Sequence, residues 1–137
     1  MRNQNKIEMK LLLLLSTFIM VGASTKSCKD QQLPAGCYKG KLEIKALCMN
    51  YTISIQSKNF DTSMVVNSWT DETTGKNYKN VFRLGSPCTF PDSLKAGDEF
   101  YFTIDSTSVQ NCMVCMAYYP TPEKKLSIKV LNAPCSK

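Results

Sequence analysis

The 137-residue chain contains no histidine, and this absence limits the chemistry that it can perform. Sites in which histidine activates a serine or cysteine nucleophile are excluded, and so are zinc sites with histidine ligands. The sequence also lacks a block of five like charges, so its net charge of +6 is spread along the chain. We therefore expect no nucleic-acid partner, no metal, no cofactor and no catalytic residue. The carboxylates of Asp71, Glu72, Asp98, Glu99 and Asp105 are assigned to solvated turns.

A long hydrophobic run is missing as well. The uncharged run over residues 11–23 is shorter than the roughly 20 apolar residues that a membrane-spanning helix needs. Basic residues precede the run and Val21-Gly22-Ala23 ends it, which is typical of a secretory signal peptide. We predict a signal peptide over residues 1–23, a polar leader over 24–35 and a single β domain over 36–137. The protein is expected to be secreted, periplasmic or in the cell envelope.

The rest of the chain has a period of two and no long helical stripe. Apolar residues of the segment 38–48 fall on even positions, whereas those of 51–55 fall on odd positions. Such a change of phase needs an extra residue or a bend, so we predict a long first strand that bends near residues 48–50. In NYKNVFRL, Tyr78, Phe82 and Leu84 are expected on one face. EFYFTID is expected to be a strand that places its alternate apolar residues inward: Phe100, Phe102 and Ile104. The short strands predict an all-β domain, either a small antiparallel barrel or a sandwich.

Cysteine is abundant, and most of the seven residues are expected to form disulfides that stabilise the domain. The candidates are Cys37, Cys48, Cys88, Cys112, Cys115 and Cys135. Cys112 and Cys115 form a Cys-x-x-Cys motif, which is a redox pair, half of a metal site, or the ends of two disulfides. The following MAYYPTP favours a strand, in which the two residues lie about 10 Å apart and bond to different partners. A thiol–disulfide redox protein that uses this pair is the alternative function.

The seventh cysteine, Cys28, is the candidate for a spare thiol because the other six can make three bridges. Alternatively Cys28 is lipidated, which makes the protein an envelope lipoprotein attached to a membrane, although residues 25–27 lack the apolar residue of a lipobox. A third alternative is a bond between Cys28 and Cys135 that ties the two ends of the domain together.

Two further features are candidates for ligand or modification sites. Asn50-Tyr51-Thr52 is a glycosylation sequon that has meaning only in a eukaryotic source. Trp69, Tyr101 and Tyr119 are candidates for an outward face that stacks on a sugar ring, while the competing interpretation places Trp69 in the core.

The predicted bent first strand and the segment LKAGDEFYF resemble small Greek-key barrels of the oligonucleotide/oligosaccharide-binding (OB) type. LPAGCYKGKLEIKALCMNYTI and CMVCMAYYP resemble small uncharacterised exported proteins of Bacteroidota bacteria, a resemblance that implies an envelope or secreted location. Together these features predict a non-enzymatic exported domain with a binding or structural role. Its ligand is expected to be a protein or a carbohydrate.

Overall fold

The computed structural model describes residues 35–135, and these residues form a β-sheet without an α-helix. The strands are β1 (Cys37–Lys45), β2 (Tyr51–Ile55), β3 (Val66–Thr70), β4 (Asn77–Leu84), β5 (Glu99–Ile104), β6 (Lys125–Leu126) and β7 (Ile128–Leu131). Single 3₁₀ turns lie at Leu47–Met49, Thr62–Met64 and Pro87–Thr89. The prediction of a disulfide-stabilised all-β domain is confirmed. The predicted signal peptide and Cys28 lie outside the described residues.

The seven strands belong to one sheet in the order β3-β4-β2-β1-β5-β7. Neighbours along this path are antiparallel, whereas β6 lies off the path and pairs in parallel with the end of β4. The antiparallel sheet is as predicted, but it is open, so the predicted small barrel is not closed, and the single sheet is not a two-sheet sandwich. The last strand is interrupted at Ser127, so its contact with β4 is limited to two residue pairs and does not close the sheet. Residues before this break pair with β4, and residues after it pair with β5.

The return of β6 to β4 depends on Gly85 and Ser86. The Gly85 N–H donates to the carbonyl of Leu126 at 2.6 Å, and a Cβ at Gly85 would lie 2.9 Å from that oxygen. The fully buried Ser86 hydroxyl donates to the Ile128 carbonyl at 2.7 Å and accepts from the Ile128 N–H at 2.9 Å. Glycine is therefore required at position 85, where the backbone of Leu126 approaches closely. The Ser86 hydroxyl satisfies the N–H and the carbonyl of Ile128, at the point where the last strand changes its partner from β4 to β5.

The predicted long first strand is wrong, because β1 and β2 are two antiparallel strands joined by a tight turn. The chain reverses at Cys48 and Met49, whose φ angles of 57° and 56° lie in the left-handed region. A bulge between Leu42 and Ile44 also shifts the side-chain phase. As a result, Leu42 lies in the main core and Ile44 lies in a second cluster with Tyr78 and Val81.

Aromatic side chains fill the main core. Phe100 and Phe102 are buried as their alternation predicts, and Phe102 lies 3.0 Å from where a Cβ of Gly40 would be. The prediction for β4 is correct for Phe82 and Leu84, which lie in this core, but wrong for Tyr78. Asn80, at φ 51°, breaks the alternation between them and turns Tyr78 towards the second cluster.

Candidate functional site

The candidate site is built on residues 105–124, the irregular segment between β5 and β6 that we call the long loop. Two disulfides attach its middle to 3₁₀ turns that follow β1 and β4: Cys115 bonds to Cys48, and Cys112 bonds to Cys88. The two cysteines thus have different partners, as expected, although the strand predicted after them does not form. Because they are not bonded to each other, the Cys-x-x-Cys redox pair is not formed.

The third disulfide joins Cys37 to Cys135, at the two ends of the described residues. The alternative bond between Cys28 and Cys135 is therefore wrong. The Cα atoms of Cys37 and Cys135 are 6.2 Å apart, within the range that a disulfide spans. All six cysteines of residues 35–135 are paired, which indicates a non-reducing environment.

Polar contacts hold the long loop close to both of its disulfides. The Ala117 N–H lies 3.4 Å from the sulfur of Cys48, and the Gln110 side-chain oxygen accepts from the Cys88 N–H at 3.0 Å. The Asn50 amide donates to the carbonyls of Leu47 at 2.9 Å and Ala117 at 3.0 Å. Both of its hydrogens are used, so a glycan on this nitrogen would replace one of these bonds. The turn at residues 46–50 and the long loop therefore form one connected structure.

A buried carboxylate anchors the far end of the long loop. The Tyr119 hydroxyl donates to Asp71 at 3.2 Å, and the same carboxylate accepts from the Thr73 N–H at 3.0 Å and the Thr74 hydroxyl at 2.7 Å. Asp71 is only 1% exposed, so its assignment to a solvated turn is wrong. Burial raises the pKa of Asp71, but the hydrogen bonds from Thr74, Thr73 and Tyr119 outweigh it and leave the pKa below its ordinary value.

The middle of the long loop exposes apolar side chains to solvent. Met113 and Met116 are 98% and 99% exposed, and Tyr118 is 86% exposed. In the part of the chain that the structure describes, the exposed large hydrophobic residues all lie on this loop or on the turn bonded to it: Leu47, Val109, Met113, Val114, Met116 and Tyr118. We call these six residues the apolar surface. Between Asp105 and Glu123 the loop carries no charged residue.

The predicted aromatic residues lie in two places. Trp69 and Tyr119 are half-buried against the second cluster, where Trp69 stacks on Tyr78 with ring centroids 6.1 Å apart. Tyr101 is not in that cluster and lines a shallow cleft at β5 and β7. The sequence reasoning did not find the apolar surface. The signal was present in the uncharged segment 106–122, whose methionines follow its cysteines directly.

Other kinds of site find no support in residues 35–135. No group of three or more Cys, Asp or Glu residues there is arranged to hold a metal ion. Among the same residues, no helix has the length and apolar character needed to cross a membrane. Comparison of the chain with protein-family models, curated proteins and solved structures finds no match.

Proposed function

We propose that this protein is an exported, non-enzymatic binding domain and that its apolar surface binds another protein. The observation that carries the proposal is the confinement of the exposed large hydrophobic residues to one cross-linked region. Exposed apolar patches on folded domains mark sites of interaction because their contact with water is unfavourable. Burying a methionine side chain contributes about 1.5–3 kcal/mol, so Met113 and Met116 favour association.

The composition of the apolar surface supports a protein partner. The cores of protein interfaces are poor in charge and rich in methionine and aromatic residues, as residues 106–122 are. The flexible thioether side chains of Met113 and Met116 adapt to the shape of a partner. Because the disulfides of Cys112 and Cys115 hold the backbone beneath them, less ordering entropy is lost on binding.

The strand pairing supports a relationship to OB-like sheets, which are partly open Greek-key barrels. β1 pairs with β2 and β5, β2 pairs with β4, and the last strand contacts β4 and β5. In OB folds, the loop after the first strand and the loop before the last strand carry the binding surface. The corresponding segments here are residues 46–50 and the long loop, which Cys48–Cys115 joins.

Site-specific photocrosslinking in the native host tests the binding role. A photoreactive phenylalanine analogue at Met113 or Tyr118 should form an adduct with one protein, and the same analogue at the exposed control position Lys79 should not. The purified partner should then bind the triple variant Met113→Ser, Met116→Ser, Tyr118→Ser about 100-fold more weakly. The matched control is the triple variant Glu72→Ser, Lys79→Ser, Lys129→Ser. Equal binding by both triple variants would contradict the proposal.

Export and the state of Cys28 require a separate measurement. The three disulfides support a location outside the reducing cytosol. Mass spectrometry of the protein, alkylated with and without reduction, should give an N-terminus after Ala23 and six protected cysteines. An acyl group on an N-terminal Cys28 would instead identify an envelope lipoprotein. An intact leader with every thiol alkylated would contradict export.

A further inference from the structure

A second candidate site lies beside β5 and β7. It is a cleft of about 330 Å³ whose lining includes Ser93, Glu99, Tyr101, Leu131 and Asn132 and no residue of the loop. Tyr101 pairs with Lys39 on one side and Leu131 on the other, so it lies in the middle of this part of the sheet. The volume is at the lower end of the range for small-molecule sites.

Both walls of the cleft are held in place. The wall at residues 91–94 is fixed by Lys45, whose ammonium group donates to the carbonyls of Asp92 at 2.8 Å and Leu94 at 2.9 Å. The wall at residues 132–134 leads directly to Cys135, which is bonded to Cys37 in β1. Pro91 and Pro134, one in each wall, further restrict the backbone. The cleft is therefore formed before any ligand binds.

The polar groups of the cleft have unused hydrogen-bonding capacity. Within residues 35–135, the side chains of Ser93, Tyr101 and Asn132 have no hydrogen-bond partner. Together they offer hydroxyl and amide groups that both donate and accept. The Glu99 carboxylate is paired with the Lys39 ammonium at 2.5 Å, which neutralises its charge while leaving oxygen lone pairs for a further donor. This combination favours an uncharged ligand with several hydroxyl groups.

We propose that this cleft binds a neutral pyranose ring of a glycan. The ring of Tyr101 has an electron-rich face on which the C–H groups of a sugar pack. Ser93, Glu99 and Asn132 line the same cleft and provide hydrogen-bonding groups for the sugar hydroxyls. Among the residues that line the cleft, Glu99 carries a charge that Lys39 offsets, and none is cationic. The nearby Lys45 ammonium group is engaged by the carbonyls of Asp92 and Leu94, so the lining offers no positive group for a phosphate or a carboxylate. The cleft volume of about 330 Å³ has room for one such ring.

Titration of the ¹⁵N-labelled protein with methyl glycosides of glucose, galactose, mannose and N-acetylglucosamine tests this site by NMR. At least one glycoside should shift the amide signals of residues 91–101 and 130–134, with a dissociation constant on the order of 1 mM because one ring offers few contacts. Tyr101→Ala should weaken binding at least about tenfold. The matched control, Tyr118→Ala on the long loop, should bind the sugar like the wild type and keep the two sites distinguishable.

Three results would overturn the proposal. The first is the absence of cleft shifts with all four glycosides, and the second is unchanged binding in Tyr101→Ala when its spectrum shows a native fold. The third is a response to a proline-rich peptide without a response to any sugar, which would make the cleft a peptide site. Asn132→Ala, at an exposed position, gives an independent variant if Tyr101→Ala fails to fold.

Discussion

Asp71 shows how one buried residue connects distant parts of this chain. Its carboxylate accepts hydrogen bonds from Thr73 and Thr74 in its own turn and from Tyr119, which is 48 residues away. Since the folded pKa is lowered, ionised Asp71 stabilises the fold above its unfolded pKa of about 3.9. This contribution is lost as the pH falls through the folded pKa.

We expect Asp71→Asn to lower the free energy of unfolding at neutral pH. Both carboxylate oxygens of Asp71 accept hydrogen bonds, whereas in an amide only the oxygen accepts and the NH₂ group donates. The difference from the wild type should shrink as the pH falls from the unfolded pKa of about 3.9 through the lower folded pKa, at which the carboxylate of the folded protein becomes protonated. Urea unfolding of both proteins at several pH values from neutral to acidic measures this difference in the free energy of unfolding. Glu72→Gln, at the exposed neighbouring position, is the control. A difference that stays constant with pH would show that the charge of Asp71 does not stabilise the fold.

Among the structural elements, the long loop is the one whose conformation depends most on covalent bonds. It has no regular hydrogen-bonded structure over residues 105–124, and its two disulfides end at Cys48 and Cys88 outside the loop. Cys112 and Cys115 are exposed, whereas Cys37 is only 8% exposed. Attack by a thiolate needs access to the sulfur. Each bridge of the loop has one exposed cysteine, whereas the terminal bridge joins a buried Cys37 to a half-buried Cys135 and is therefore less open to reductants.

We therefore predict that mild reduction opens Cys48–Cys115 and Cys88–Cys112 before Cys37–Cys135. Timed reduction, alkylation and peptide mapping by mass spectrometry would give the order. The apolar surface should lose its defined conformation in the partly reduced species, while the amide signals of β1 and β5 keep their dispersion. If Cys37–Cys135 opens first, burial does not control access to the sulfur atoms in this domain.

The elements also show which parts of the fold the sequence could predict. Phe100 and Phe102 were placed correctly because a strand with one buried face has a period of two. The turn between β1 and β2 was missed because its left-handed residues, Cys48 and Met49, are not of the types that mark such turns. A change of phase in the alternation of apolar residues does not by itself distinguish one bent strand from two strands that are joined by a turn and contain a bulge.

For the described domain as a whole, the Cys37–Cys135 bridge constrains the unfolded chain most strongly, because it spans 98 residues. Loop-closure entropy then gives a stabilisation of about 4.7 kcal/mol. Cys88–Cys112 spans only 24 residues, which corresponds to about 3.4 kcal/mol. Both values are large compared with the 5–15 kcal/mol by which typical domains are stable.

We predict that the double variant Cys37→Ser, Cys135→Ser loses more stability than Cys88→Ser, Cys112→Ser. Removing both ends of each bridge avoids a free thiol, and thermal unfolding under identical conditions compares the two variants directly. The first variant should also weaken the cleft, because residues 132–134 lose their anchor. A larger loss in the second variant would mean that folded-state packing around Cys88 outweighs loop length.

The site itself was less predictable than the fold. The sequence indicated structural cysteines but not their partners, because six cysteines allow fifteen pairings and spacing does not select among them. The exposure of Met113 and Met116 depends on the loop conformation that the bonds of the adjacent Cys112 and Cys115 to Cys88 and Cys48 fix. Such long-range constraints leave no periodic trace in a single chain.

The position of the Cys37–Cys135 bond has a consequence for the survival of the protein among proteases. A single cut at any peptide bond from residue 38 to residue 134 leaves two fragments that this bond still joins. The nicked protein would keep its mass on a non-reducing gel, apart from one added water, and would separate into fragments only after reduction. An enzyme that cleaves the exposed loop once therefore releases no part of the molecule.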